Sequence, residues 1–156
     1  MSAVARLLIV DDNKVNRLLL SRSVEMLGYD ASVAENGRIA MEQLRAAPFD
    51  LVLLDIEMPE MDGVEVLEAI KLDPDLRDTP VIVTSSVEGV ENIVRCIELG
   101  AEDYLAKPVN RVLLRARLTS SLDMKRVRDG QTVLLRRFAT RDVAQELEDS
   151  GFALGG

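Results

Sequence analysis

The sequence predicts an α/β fold built on a central parallel sheet, and three observations carry that prediction. Short apolar runs alternate with stretches of helical period. The runs are apolar at consecutive positions instead of every second one, and acidic, hydroxylic or basic residues stand where they end. Strands apolar on both faces are expected where helices cover a sheet on each side.

Arg6 to Val10 is the first predicted strand, Asp50 to Leu54 another and Val81 to Thr84 a further one. Ala31 to Ala34 and Asp103 to Leu105 carry weaker strand patterns. Between them, Leu20, Val24 and Leu27 share one helical face, with Gly28 placed to close that helix from the position after its C-cap. Ile39 to Leu44 and Val64 to Ile70 read as two more helices, and a fourth around Ile93 to Leu99 ends at Gly100. Five βα repeats imply right-handed crossovers and a doubly wound sheet. In such a sheet the functional crevice lies at the carboxyl ends of the strands, at the topological switch point.

Composition limits what that crevice can serve. The chain has 156 residues, enough for one domain with about thirty left for an appendage. Hydrophobic residues make up 47% and there is no Trp, so Leu, Val, Ile and Ala must build the core. The net charge of −8 argues against a nucleic-acid partner, since the only basic cluster is the short Lys125-Arg126-Val127-Arg128. One cysteine, Cys96, excludes an internal disulfide and fits a reducing compartment. At core spacing from Ile93 and Leu99, it reads as a packed, inert thiol. The first apolar run, Leu7 to Val10, is strand-length and stops at two aspartates, so neither a signal peptide nor a membrane span is visible. The cytoplasm is the expected location.

The chemistry falls at the strand ends. Asp11 and Asp12 follow the first strand, Asp55 the third, Ser85 the fourth, and Lys107 with Pro108 the fifth. Singly, each has an ordinary reading: a helix cap for the aspartates, a turn for Lys107-Pro108, little specificity for Ser85. Together, three crowded carboxylates repel one another and call for a hard cation. Mg²⁺ suits such a site because it takes oxygen ligands and commonly bridges to phosphate. A lysine ammonium could meet phosphoryl oxygens as a compact positive charge.

The runs Leu7-Leu8-Ile9-Val10-Asp11-Asp12 and Leu53-Leu54-Asp55-Ile56-Glu57-Met58-Pro59-Glu60-Met61-Asp62-Gly63, with Gly100 to Pro108, resemble the receiver domain of two-component response regulators. The spacing of thirty residues from Asp55 to Ser85 and twenty-two from Ser85 to Lys107 matches that family, and selects Ser85 over Thr84 and Ser86. The resemblance covers roughly residues 4 to 125. It implies a flavodoxin-like (βα)5 fold of strand order 2-1-3-4-5, with an extended C-terminal helix. It implies that Asp55 accepts a phosphoryl group from the phosphohistidine of a cognate histidine kinase or phosphotransfer protein. Mg²⁺ would be held by Asp11, Asp12, Asp55 and the Glu57 carbonyl. Lys107 and Ser85 would meet the phosphate, and Tyr104 would stand as the switch aromatic. Pro59, Gly63 and Pro108 would shape the loops, Gly63 through a backbone geometry other residues resist. Glu57 and Val87 fall at positions that vary in the family and affect phosphoryl lifetime; the direction of a Glu57 effect is open. Ser86, where the family usually has Ala or Gly, is small enough to leave phosphate access open.

A fifth helix is expected from about Asn110 through Leu113, Leu114 and Leu118. Met124, Val127, Gln131, Leu134 and Phe138 continue its pattern with the three-four spacing of a coiled-coil seam, weakened by Gly130. The expected organisation is a receiver over 1–125 and a helical linker over 126–156, leading to an output domain that is absent or cut off. The segment from Leu134 to Gly156 is similar to the lead-in of class III nucleotide cyclase domains, although the catalytic residues of such a domain are absent. The expected function is a phosphorylation switch, not an enzyme, that alters homodimerisation through the face made by its fourth helix, fifth strand and fifth helix. A regulatory fragment of a nucleotide cyclase is the alternative.

Overall fold

The computed structural model describes residues 4–58, 61–86 and 90–138. Ten elements alternate: β1 (Arg6–Val10), α1 (Lys14–Met26), β2 (Asp30–Ala34), α2 (Gly37–Ala46), β3 (Leu51–Asp55), α3 (Gly63–Leu72), β4 (Val81–Ser85), α4 (Val90–Leu99), β5 (Asp103–Ala106) and α5 (Arg111–Phe138). The five strands are parallel, in the order β2-β1-β3-β4-β5. This is the flavodoxin-like order expected from the sequence. The chain reverses direction across the sheet between β1 and β3, which opens the crevice there.

The strand pleat sends alternate side chains to opposite faces. Leu8, Val10, Val52, Leu54, Val81 and Val83 join one buried cluster with residues of α2, α3 and α4. Leu7, Ile9, Leu51, Leu53 and Ile82 join the other with Leu20, Val24, Leu114 and Leu118 of α1 and α5. Burying each such side chain is worth roughly 1.5–3 kcal/mol, so both layers hold the strand ends in place. The weak patterns of β2 and β5 have a physical cause: these strands are the sheet edges and need less apolar surface.

Local signals set the boundaries. Asn13 caps α1 by accepting from the Asn16 amide, and Asn36 and Asp62 cap α2 and α3 in the same way. Gly28 and Gly100 adopt φ of 95° and 110° at the ends of α1 and α4, where other residues would be strained. The Asn110 side chain accepts from the amides of Val112 and Leu113 at the start of α5. Cys96 is fully buried among core residues, and burial raises its thiol pKa to about 11. This agrees with a packed, unreactive thiol.

The chain divides into two units, Met1–Leu122 and Asp123–Gly156. The helical span of the second ends at Phe138. Pro59, Val87, the segment after Phe138 and the side chains of Val127, Gln131, Leu134 and Phe138 lie outside the described residues. Among those described, no helix is long and apolar enough to cross a membrane.

Candidate functional site

The carboxyl ends of β1 and β3 bring Asp11 and Asp55 together, because Val10 pairs with Leu54 across the sheet. Both aspartates are buried, at 0% and 1% exposure, whereas Asp12 is exposed beside them. Ligand oxygens of Asp11, Asp12 and Asp55 lie within 4.8 Å of one another. Neither aspartate of the first pair caps α1; that role belongs to Asn13, whose amide donates to Asp11 Oδ1 at 2.8 Å.

Lys107 reaches in from the end of β5. Its Nζ stands 3.0 Å from Asp55 Oδ1 and 3.4 Å from Asp11 Oδ2. The Glu57 amide also donates to Asp55 Oδ1, at 3.1 Å. Asp55 Oδ2 and Asp11 Oδ2 are buried with no hydrogen-bond donor, the latter having only the longer ammonium contact. Buried carboxylate oxygens left in this way are costly, and a divalent cation is the natural partner. The three aspartates therefore fit a hard metal ion.

The electrostatics agree. Burial pushes the Asp55 pKa from 3.8 up to about 6, against the lowering influence of Lys107 and with a further push from the Asp11 charge. Burial alone would lower the Lys107 pKa, but the Asp55 and Asp11 carboxylates outweigh it and raise the value. The ammonium is held charged, and one lysine does not neutralise the cluster.

The response regulator receiver domain matches residues 7–119 of this chain. The chain belongs to that family. Response regulator PleD of Caulobacter vibrioides is 37% identical over 125 residues, covering 80% of this chain and 28% of its own length. A Vibrio cholerae protein named probable cyclic di-GMP phosphodiesterase is 38% identical over 148 residues, covering 90% of this chain and 33% of its own length. The chain thus spans about a third or less of these two relatives. A receiver domain protein from Methanospirillum hungatei superposes with a TM-score of 0.74 at 31% identity, covering 81% of this chain and 99% of that one. The receiver is a switch domain of the response-regulator type.

Of the remaining residues singled out from the sequence, four lie at or beside the strand ends among the described residues. Ser85 ends β4 and is fully buried. Tyr104, on edge strand β5, is 42% exposed and turned to the surface. The Lys107–Pro108 peptide is cis and follows β5 directly. Gly63 departs from expectation. It is not among the glycines of positive φ; its role is close approach. A Cβ at Gly63 would lie 2.5 Å from the Ile56 Cα and collide with the Asp55 carbonyl oxygen. The bare Gly63 lets α3 pack onto the end of β3, where its amide donates to the Ile56 carbonyl at 2.9 Å.

Two features were not anticipated from the sequence. Arg17 donates from Nη1 to the Asp11 carbonyl at 2.8 Å, tying α1 to the β1 end. The Glu57 carboxylate turns toward β4 and binds Ser85 and Ser86. Ser86 is therefore more than a small residue that leaves space. A basic residue in the first turns of α1 was a usable signal for the first contact. The second had none, since it joins residues 28 and 29 positions apart.

Proposed function

We propose that Asp55 is the phosphoacceptor of this receiver and that its phosphorylation depends on Mg²⁺. The observation that carries the reading is the buried Asp55 carboxylate, contacted by Lys107 through one oxygen and left without a donor on the other. A carboxylate oxygen attacks phosphorus of a phosphohistidine, the phosphorus–nitrogen bond breaks, and its electron pair stays with the imidazole. Lys107 offsets the charge on the transferred group, and the Glu57 amide orients Asp55. Asp11, Asp12, Asp55 and the Glu57 carbonyl would hold Mg²⁺, which supplies charge neutralisation at the phosphoryl oxygens. Ser85 and Tyr104 report the new state, and Pro59, Gly63 and Pro108 shape the surrounding loops.

The partner is a histidine kinase or phosphotransfer protein. The exposed Val15, Leu18 and Leu19 on α1 support a docking face there. So does a cleft of about 130 Å³ walled by Leu19, Leu20, Pro108 and Leu114, with Asp11 and Lys107 at its border. For homodimerisation we favour the α4-β5-α5 face, where Val94, Ile97, Tyr104, Val112 and Leu113 are exposed. Residues 1–125 form the receiver and 126–156 a linker toward an output domain; no turnover is assigned to this chain alone. The alignment to the probable cyclic di-GMP phosphodiesterase covers 90% of this chain and so runs past residue 119, where the family match ends. This favours an output linked to that signalling nucleotide over a class III cyclase. The reading places the switch in the cytoplasm, with no nucleic-acid partner.

Incubation with acetyl phosphate and Mg²⁺ is expected to add one phosphoryl group by intact mass, and Asp55→Asn to abolish the gain. A gain of equal size in Asp55→Asn would refute the assignment.

A further inference from the structure

Glu57 lies two residues beyond Asp55, and its side chain is committed to β4. A single oxygen, Oε1, accepts from Ser86 Oγ at 2.7 Å, from the Ser86 amide at 3.0 Å and from Ser85 Oγ at 3.0 Å. The Ser85 hydroxyl has one proton, and the Ser86 carbonyl at 3.1 Å is its other acceptor. One carboxylate oxygen therefore gathers the donors at the end of β4. Asp55 pairs with Thr84 in the sheet register, so these donors stand one and two residues beyond the position facing the phosphoacceptor.

The donor set is informative. Two hydroxyls and a backbone amide converging on one anionic oxygen are the groups that also suit a phosphoryl oxygen. The donation holds Glu57 ionised: its pKa lies below the usual carboxylate value, chiefly through the Ser86 hydroxyl. Glu57 is exposed, so solvent replaces the lost bonds at little cost when it swings away. Ser85, by contrast, is buried, and its hydroxyl needs a partner in either state.

The geometry points to Glu57 as an internal competitor of the phosphoryl group: its carboxylate holds Ser85 and Ser86 in the resting state, and the Asp55 phosphate must take those donors from it. The inference rests on Asp55 being the phosphoacceptor. Glu57 is on this account a positioning residue that acts through Ser85 and Ser86. The Ser86 hydroxyl makes the shortest of the three bonds, so a receiver with Ser at this place has a tighter hold than one with Ala or Gly.

The test is a titration of the full chain with beryllofluoride, a phosphoryl mimic, at Mg²⁺ saturating for each variant. Glu57→Gln keeps the shape and removes the charge, and is expected to lower the half-saturating concentration roughly three- to tenfold. Ser86→Ala, made in both backgrounds, is expected to matter less once Glu57 is Gln, because both changes weaken the same Ser86–Glu57 contact. The Ser86 amide proton resonance should shift upfield in Glu57→Gln without beryllofluoride, which a purely structural effect elsewhere would not produce. Unchanged or weaker beryllofluoride binding by Glu57→Gln, with the parent binding normally, overturns the inference and leaves the Asp55 assignment intact. Failure of the parent to bind at all overturns both. Equal effects of Ser86→Ala in the two backgrounds would also overturn it.

Discussion

Lys107 Nζ is shared between two buried carboxylates, 3.0 Å from Asp55 Oδ1 and 3.4 Å from Asp11 Oδ2. With Asp12 beside them, one ammonium faces three carboxylates, and the resting site is under-neutralised. Burial is the main cause of the raised Asp55 pKa; Lys107 opposes it, and the Asp11 charge adds to it.

Stability should follow the Asp55 proton. Its pKa rises from 3.8 to about 6 on folding, so the folded chain holds this proton more tightly than the unfolded one. The contribution to folding is full below about pH 4 and is lost as pH rises through about 6, on the order of 3 kcal/mol in all. Glu57, with its lowered pKa, acts in the opposite direction, gaining stability above its unfolded value and losing it as pH falls. The difference between parent and Asp55→Asn isolates the Asp55 part. Urea unfolding of both proteins without metal, from pH 4 to 7.5, should show Asp55→Asn becoming the more stable one as pH rises.

Mg²⁺ should bind only after Asp55 has lost its proton. Apparent affinity is then expected to fall by up to about tenfold per pH unit below pH 6 and to level off above it. At a hundred times the dissociation constant, the ion should stabilise the fold by about 2.7 kcal/mol. Thermal unfolding followed by circular dichroism in graded Mg²⁺ measures both. A melting temperature indifferent to Mg²⁺ at pH 7.5 would count against the aspartate cluster as a metal site.

Loss of the shared cation should be costly. Lys107→Ala leaves Asp11 and Asp55 buried without their counter-charge, and the partly open site limits the penalty to about 2–3 kcal/mol. The same substitution in an Asp55→Asn background should cost less, since only Asp11 then needs compensation. Phosphorylation by acetyl phosphate should be lost in Lys107→Ala even at saturating Mg²⁺. Retention of the parent rate would remove Lys107 from the proposed mechanism.

Gly63→Ala tests whether α3 sets the position of Asp55. The added methyl meets backbone on two sides, the Asp55 carbonyl oxygen and the Ile56 Cα, neither of which can swing aside. A loss of about 1–3 kcal/mol is expected, together with slower phosphorylation as the β3 end shifts. Full stability with a normal rate would show that α3 can retreat freely.

Much of this is legible in the amino-acid sequence. Asp11, Asp12, Asp55 and Ser85 stand at the ends of runs whose strand character is plain from apolar content, and Lys107 at the end of a weaker one; a parallel sheet must deliver such ends to one edge. The weaker strands fall within a residue of their expected bounds, although their edge positions demand little apolar surface and leave only a faint pattern. Less was legible in the loops. Gly63 was expected to serve an unusual backbone conformation and serves instead a close packing of α3 on β3, a distinction set by the distance between two elements.

What the sequence by itself determined is the chemistry at the sheet edge, because strand period and topology dictate which residues converge there whatever the loops do. Only the tertiary structure decided the partners of each group: Lys107 shared between Asp55 and Asp11, and Glu57 turned away to Ser85 and Ser86. Those choices depend on ångström-scale placement of side chains far apart in the chain. Hydrogen bonding falls off over that same distance, and no periodicity encodes it.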